Sequence, residues 1–328
     1  MVIRKGQNMI QELQIINKVN GKQLSLAMDG STQYVLDEVD WDVPSVSFST
    51  YRVPFQMGVS LSGAEIGTRK PSITGYVVSK VHGREFLGKG WNDFLEAQLQ
   101  DVEQKKYELS RVINPLQDIR IVVGEYFIDG RPSNAVKFSS KEKENNEVLC
   151  MFTIDVDCFS PMFRLDKGKQ TVLAKIQNKF RFPWVLKEKG NIMGVISNQK
   201  IINVVNNGDC DIGGIIKLEA VGGTVKNPTI FNVDTQEQFM IRLTLNEGDY
   251  LTINTRVGEE SVIHHYANYH GTVKPKDENA IGYVLEGSSF LQFKQGSNLY
   301  GYSVEEGSEV FVNLTIEMDE QFFNLKGM

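Results

Sequence analysis

The chain has 328 residues, a length that predicts two domains, each able to bury its own core. Hydrophobic residues make up 41% and charged residues 23%, ordinary globular values that exclude a disordered chain; the longest apolar runs, such as Ile119–Val123, fall far short of the roughly 20 residues of a membrane helix. The net charge of −6 comes without any cluster of Lys and Arg in either half, which argues against a clamp that grips nucleic acid by neutralising phosphates.

Met1 to Gln11 carries Arg4 and Lys5 but no apolar stretch behind them, so no secretory signal is read and synthesis in a cytosol is expected. Strand signals follow, as short apolar or alternating runs between Gly, Asn and Asp: Leu24–Met28, Ser45–Thr50, Ser72–Val78, Arg120–Ile128 and Leu149–Cys158. One helix is predicted from Gly90 to Ile113. Trp91, Phe94, Leu95, Gln98, Leu99 and Val102 recur near helical spacing there, Asn92 is the expected N-cap, and Asn114-Pro115 is the stop. The wholly polar stretch Ser139–Glu147 reads as a solvated hairpin loop.

Regularity is weakest between Ser160 and Asn203, where Phe180-Arg181-Phe182-Pro183-Trp184 fits a connection between domains. A boundary is placed near residue 165, with 1–165 as one domain, 166–200 as connector and 201–328 as the second domain. In that last part the predicted strands Gly214–Val221, Phe239–Leu245, Leu251–Thr255 and Glu309–Met318 are separated by turns such as Asn207-Gly208-Asp209 and Glu247-Gly248-Asp249. Such spacing predicts an antiparallel sandwich. The fold class is therefore mainly β with one main helix, in two domains.

Candidate chemistry is sparse. Cys150, Cys158 and Cys210 are too few and too irregularly spaced for a disulfide framework or a metal site, and read as free thiols. In the run His264 to His270, His264 and His265 would point to opposite faces of a strand, so only one of them could join His270 around a metal; a polar, aromatic loop is the simpler reading. Asp40 and Asp42 share a face of an extended segment, a placement open to a glycosidase acid and base; a solvated or subunit-facing strand explains them more simply. Phosphate-binding loops, nucleophile elbows and zinc-protease helices are all missing from the sequence. No enzyme, cofactor or metal is expected.

The order of segments resembles the distal tail family of long-tailed phages over nearly the whole chain. The loop from Gly63 leads into an Arg69…Ile73-Thr74-Gly75 strand, the helix closes on Asn114-Pro115, and Phe152 to Phe163 ends in a Cys158-Phe159-Ser160-Pro161 turn. Asn206 to Asp209, Gly222 to Ile230, Leu245 to Leu251 and Ser289 to Asn298 then occur in the family's order. Two departures are the absence of a Pro after the Asn-Gly-Asp turn, around Ile212-Gly213-Gly214, and the length of the loop Ser139–Glu147.

The resemblance implies an N-terminal β-sandwich with helix and hairpin that assembles into a hexameric ring, and a galectin-like C-terminal sandwich. It also implies a place at the virion tail tip, between the tail tube and a tail-tip lysin, with receptor-binding or baseplate proteins docked around the ring. DNA would pass through the lumen without specific binding, and nothing would insert into a membrane. Alternatives are the hub of a phage-tail-like bacteriocin and a carbohydrate-binding module. For the latter, Tyr266, Tyr269 and His270, with Trp184, are the candidate platform; the same three C-terminal residues are the candidate partner contacts. A cell-wall hydrolase ranks third.

Overall fold

The computed structural model describes residues 11–55, 57–82, 90–165, 201–267 and 276–325, and the backbone alone of 169–178 and 194–198. The chain divides into two compact units, Met1–Asp166 with Phe323–Met328, and Lys167–Phe322. Among the described residues no helix is long and apolar enough to cross a membrane.

The first unit holds β1 (Glu12–Asn17), β2 (Gln23–Ala27), β3 (Tyr34–Asp40), β4 (Val46–Tyr51), β5 (Ser60–Ile66), β6 (Ser72–Val78), α1 (Trp91–Val112), β7 (Ile119–Val123), β8 (Tyr126–Pro132), β9 (Lys137–Phe138), β10 (Leu149–Asp157) and β11 (Phe163–Leu165). Strict alternation makes these strands: β6 buries Ile73, Gly75 and Val77, and β10 buries Cys150, Phe152, Ile154 and Val156. The sheet runs β11-β8-β7-β1-β2-β3-β6-β10-β9. Val156 and Asp157 also pair with Pro132 and Arg131 of β8, so the expected two layers join and the sheet closes on itself. The link between β2 and β3 is the exception, since these parallel strands meet only at Ala27 and Val35.

Gly75 permits the close approach of β3 and β6. A Cβ there would lie 2.5 Å from the Val35 carbonyl oxygen and 2.8 Å from Phe152 Cζ.

The helix buries Gln98, Val102, Leu109 and Val112, and its Val102, Leu109 and Val112 join a core with Leu13, Ile15, Ile73, Phe152 and Leu325. Only its later turns are packed. Trp91 and Leu99, counted from spacing as apolar-face positions, are exposed. The N-cap is Gly90, not Asn92, because the Asp93 carboxylate accepts the Gly90 N–H at 3.2 Å and starts the helix two residues sooner. The predicted single strand Arg120–Ile128 is a hairpin of β7 and β8, turned at Gly124 with φ +58°. Glycine reaches that left-handed conformation without a Cβ clash.

The second unit holds β12 (Lys169–Asn178), β13 (Gly194–Asn198), β14 (Ile201–Asn206), β15 (Ile215–Ala220), β16 (Val225–Lys226), β17 (Thr229–Asn232), β18 (Gln238–Met240), β19 (Thr244–Leu245), β20 (Tyr250–Asn254), β21 (Ser261–Tyr266), β22 (Lys276–Asn279), β23 (Gly296–Ser303) and β24 (Val312–Met318). A seven-stranded sheet, β13-β12-β24-β15-β20-β21-β22, faces a four-stranded sheet, β14-β23-β17-β18. Leu218, Leu251, Ile253, Leu314 and Ile316 from the first sheet bury against Val204, Ile230, Phe239, Tyr300 and Tyr302 from the second. This is the antiparallel sandwich that the turn spacing predicts.

Two expectations need correction here. The segment 166–200, read as a connector, supplies β12 and β13, which pair with β24 and with each other as part of the sandwich. Lys169–Asn178 pairs its backbone on both sides, with β13 and with β24. The run Phe239–Leu245 is not one strand: it breaks between Met240 and Thr244, where Arg242 N–H turns to the Tyr283 carbonyl.

Candidate functional site: an exposed amphipathic hairpin

Between β3 and β6 the chain leaves the sheet as an isolated two-stranded ribbon, β4 paired with β5. Every residue of β4 is exposed. Register and alternation place Val46, Phe48, Thr50, Leu61, Ala64 and Ile66 on one face, and Ser47, Ser49, Tyr51, Ser60, Gly63 and Glu65 on the other. The apolar face is uncovered, with Phe48 64% and Leu61 61% exposed. Val53, Phe55, Met57 and Val59, between the two strands in sequence, are exposed as well. A two-stranded ribbon is marginal by itself in water, and an apolar patch of this extent marks a surface that another molecule covers.

The root of the ribbon is rigidly held. Trp41 is buried edge-on to Phe163, with ring centroids 5.1 Å apart. Asp42 adopts φ 51° and its carboxylate accepts from Val43 N–H at 2.8 Å and Lys70 N–H at 3.0 Å. Asp40 accepts from Asp42 N–H at 3.0 Å. The left-handed turn at Asp42 therefore breaks the extended alternation that put Asp40 and Asp42 on one face, and both carboxylates serve to bend the chain. On the returning side Gly67 N–H donates to the Ser45 carbonyl at 2.8 Å.

Arg69 sits beneath this root, 1% exposed. Its guanidinium donates to the carbonyls of Pro161 at 2.8 Å, Asp42 at 3.2 Å, Trp41 at 3.4 Å and Phe323, and lies over the Phe163 ring. Burial pulls its pKa below the usual guanidinium value, and the carbonyl dipoles take the place of a carboxylate. The neighbouring Cys158 thiol is buried and its pKa is pushed up to about 12, so it is inert as a nucleophile at neutral pH. In the sequence Arg69 stands out only as part of the strand motif that ends at Gly75; its role at the root leaves no trace there, because its partners are backbone carbonyls.

The C-terminal candidates separate. Tyr269, His270 and Trp184 lie outside the described residues. Tyr266 is half-buried, its ring 3.8 Å from that of His264. His264 and His265 point to opposite faces of β21, as alternation predicts. His265 bonds Asp277 at 2.7 Å and Thr252 at 3.1 Å. Those three side chains have the connectivity of a hydrolytic triad, but Thr252 lies in a sheet whose N–H groups are committed to the ladder, and a developing oxyanion needs such donors. Among the described residues no group of three His, Cys, Asp or Glu is placed to hold a metal.

His264 is 2% exposed and its Nε2 is 3.5 Å from Asp249 Oδ2. That separation leaves neither ring nitrogen with a hydrogen-bond partner in good geometry. Burial lowers its pKa, a shift that Asp249 and Glu278 offset only in part and to which the adjacent His265 adds. The fold thus favours neutral His264, while the unfolded chain takes up the proton near the ordinary value of 6.5. Stability from this site is present above that pH and lost as pH falls. The melting temperature of the second unit is expected to drop by a few degrees between pH 7 and pH 5, and His264→Leu to flatten that slope. An unchanged slope in the variant would remove His264 as its source.

A structural comparison covers 94% of this chain and 99% of the Dit protein (gp 19.1) of phage SPP1, a hub of the adsorption apparatus of phages infecting Gram-positive bacteria, with a TM-score of 0.60 at 11% identity. The chain has the fold of a phage distal tail hub. The similarity spans both units of this hub fold, the ribbon-bearing sheet and the sandwich, so it is not a match to a common β-sandwich alone. The phage P2 baseplate in its activated conformation gives a TM-score of 0.48 at 8% identity, over 94% of this chain and 98% of that one. No protein-family model and no curated protein sequence matches the chain.

Proposed function

We propose that the chain is the structural hub of a phage tail tip, assembling through its first unit into a sixfold ring that joins the tail tube to tail-tip and receptor-binding proteins. The observation that carries this reading is the exposed ribbon, on a chain of which 94% aligns with the distal tail hub fold. A head-to-tail ring needs two different surfaces that meet between neighbours, and the apolar face of β4 and β5 supplies one of them. The opposite face, with Ser47, Ser49, Ser60 and Glu65, offers no cation to phosphate, which suits the wall of a channel that DNA crosses. The role is one of assembly, not catalysis, and the sugar-binding alternative has Tyr266 packed against His264.

Negative-stain electron microscopy with mass measurement on the purified full chain tests the reading. Closed rings with sixfold symmetry are expected. A monodisperse monomer at micromolar concentration would overturn the proposal.

A further inference from the structure

The first unit has a second unfilled surface, on the side of the sheet where β2 and β3 diverge. In the β1–β2 ladder Asn17 N–H donates to the Lys22 carbonyl and Met28 N–H to the Gln11 carbonyl. Even-numbered residues of β2 therefore face β1, and Gln23, Ser25 and Ala27 carry their N–H and C=O groups on the opposite edge. Ala27 meets Val35 there, but among the described residues no strand pairs with Gln23 or Ser25 across that edge.

This open edge forms one wall of a groove of about 650 Å³, whose other wall is the last turns of α1 with Tyr107 and Arg111. Lys22 and Arg111 stand in its lining with Glu108, and neither cation is within ion-pair distance of a carboxylate among the described residues. The nearby Glu108 is already taken by Lys105 at 2.6 Å, a contact that holds its carboxyl below the usual range. The lining therefore presents unpaired backbone groups beside two cations without a carboxylate partner, Arg111 lying over the Tyr107 ring at 5.5 Å.

We propose that this groove receives an extended, carboxylate-bearing segment of a partner protein, which adds to the edge of β2 as a further strand. Main-chain bonds to Gln23 and Ser25 supply the seating. Alternate side chains of an extended segment point the same way, so acidic residues two apart reach Lys22 and Arg111 by charge-assisted hydrogen bonds. The polar lining is unsuited to the apolar ribbon of a second copy, which makes this surface distinct from the ring contact and independent of whether a ring forms.

The test uses the full chain and a fluorescein-labelled, capped peptide of alternating Glu and Val, followed by fluorescence anisotropy and by hydrogen exchange of the protein amides. Saturable binding with a Kd below about 1 mM is expected, together with slowed exchange at Gln23 and Ser25. A Lys/Val peptide, a backbone N-methylated Glu/Val peptide, and the Lys22→Glu/Arg111→Glu variant are each expected to lower affinity at least about tenfold. Arg111→Gln serves as the milder variant if the double reversal unfolds. The proposal is overturned by the absence of saturable binding up to about 1 mM. It is equally overturned by binding that the charge variants leave unchanged, or by unaltered exchange at Gln23 and Ser25.

Discussion

Arg69→Met is expected to destabilise the first unit by about 3–5 kcal/mol, the scale of removing one partner from a buried charged network, and to lower its melting temperature on the order of 10 °C. The substitution keeps side-chain length and apolar contact with Phe163 but leaves the carbonyls of Pro161, Trp41, Asp42 and Phe323 without their shared donor. Buried acceptors left unmade cost their desolvation in full. Arg69→Lys restores the charge but not the planar fork of donors, so it should recover only part of the loss. Hydrogen exchange separates the units: amides of Ile73 and Ile154 should lose protection, and those of Leu218 and Leu251 should keep it. A variant that melts within about 2 °C of the parent would show that the carbonyl cluster is satisfied without the guanidinium.

The second large effect concerns assembly instead of folding. Phe48→Asp with Leu61→Asp places two carboxylates on the apolar face of the ribbon, where no core contact is lost because both residues are exposed in the single chain. Melting of the isolated subunit should be unchanged. Association should weaken at least about a hundredfold per interface, since burying each large apolar side chain contributes roughly 1.5–3 kcal/mol and a buried unpaired carboxylate opposes it further. Sedimentation velocity over a concentration series reads the shift from assembled to single chains. Ser47→Asp with Ser49→Asp, on the opposite face, is the control that should leave the contact intact. Equal assembly in the parent and the Phe48→Asp/Leu61→Asp variant would move the interface off this face.

Much of the architecture is legible in the residues because alternation reports strands directly: Ser72–Val78 and Leu149–Asp157 emerge with the bounds or near-bounds that the pattern predicts. What escapes is of three physical kinds. A tight turn can hide within an apolar run, as Gly124-Glu125 does inside Ile119–Ile128. A segment such as 169–178 has little visible periodicity yet finds its place by pairing with β24, far along the chain. Burial cannot be read from alternation either. The pattern in β4 and β5 says which face is apolar but not that nothing in the same chain covers it.

The candidate site was legible in the same partial way. The ribbon stood out as a strand signal and a glycine-containing loop, and Asp40 and Asp42 as acidic neighbours of it. Their use in turning the chain depends on a single left-handed residue, for which Asp is permitted but not demanded. The His264 to His270 run stands out by composition, whereas in the structure His264 lies 3.5 Å from Asp249 without a hydrogen bond and His265 bonds Asp277 and Thr252.

The chain's route through its two units also sets an order in time. Lys167–Phe322 is continuous, whereas the first unit is completed only by Phe323–Met328. Leu325 then enters the first core, and the Phe323 carbonyl reaches Arg69. During synthesis, domains fold as units once their residues have emerged. The sandwich, although second in the chain, has all its strands before the other unit has its last anchor. The ribbon-bearing unit is therefore the later of the two to be fastened: its root waits for Phe323 and Leu325, which emerge only after every strand of the sandwich.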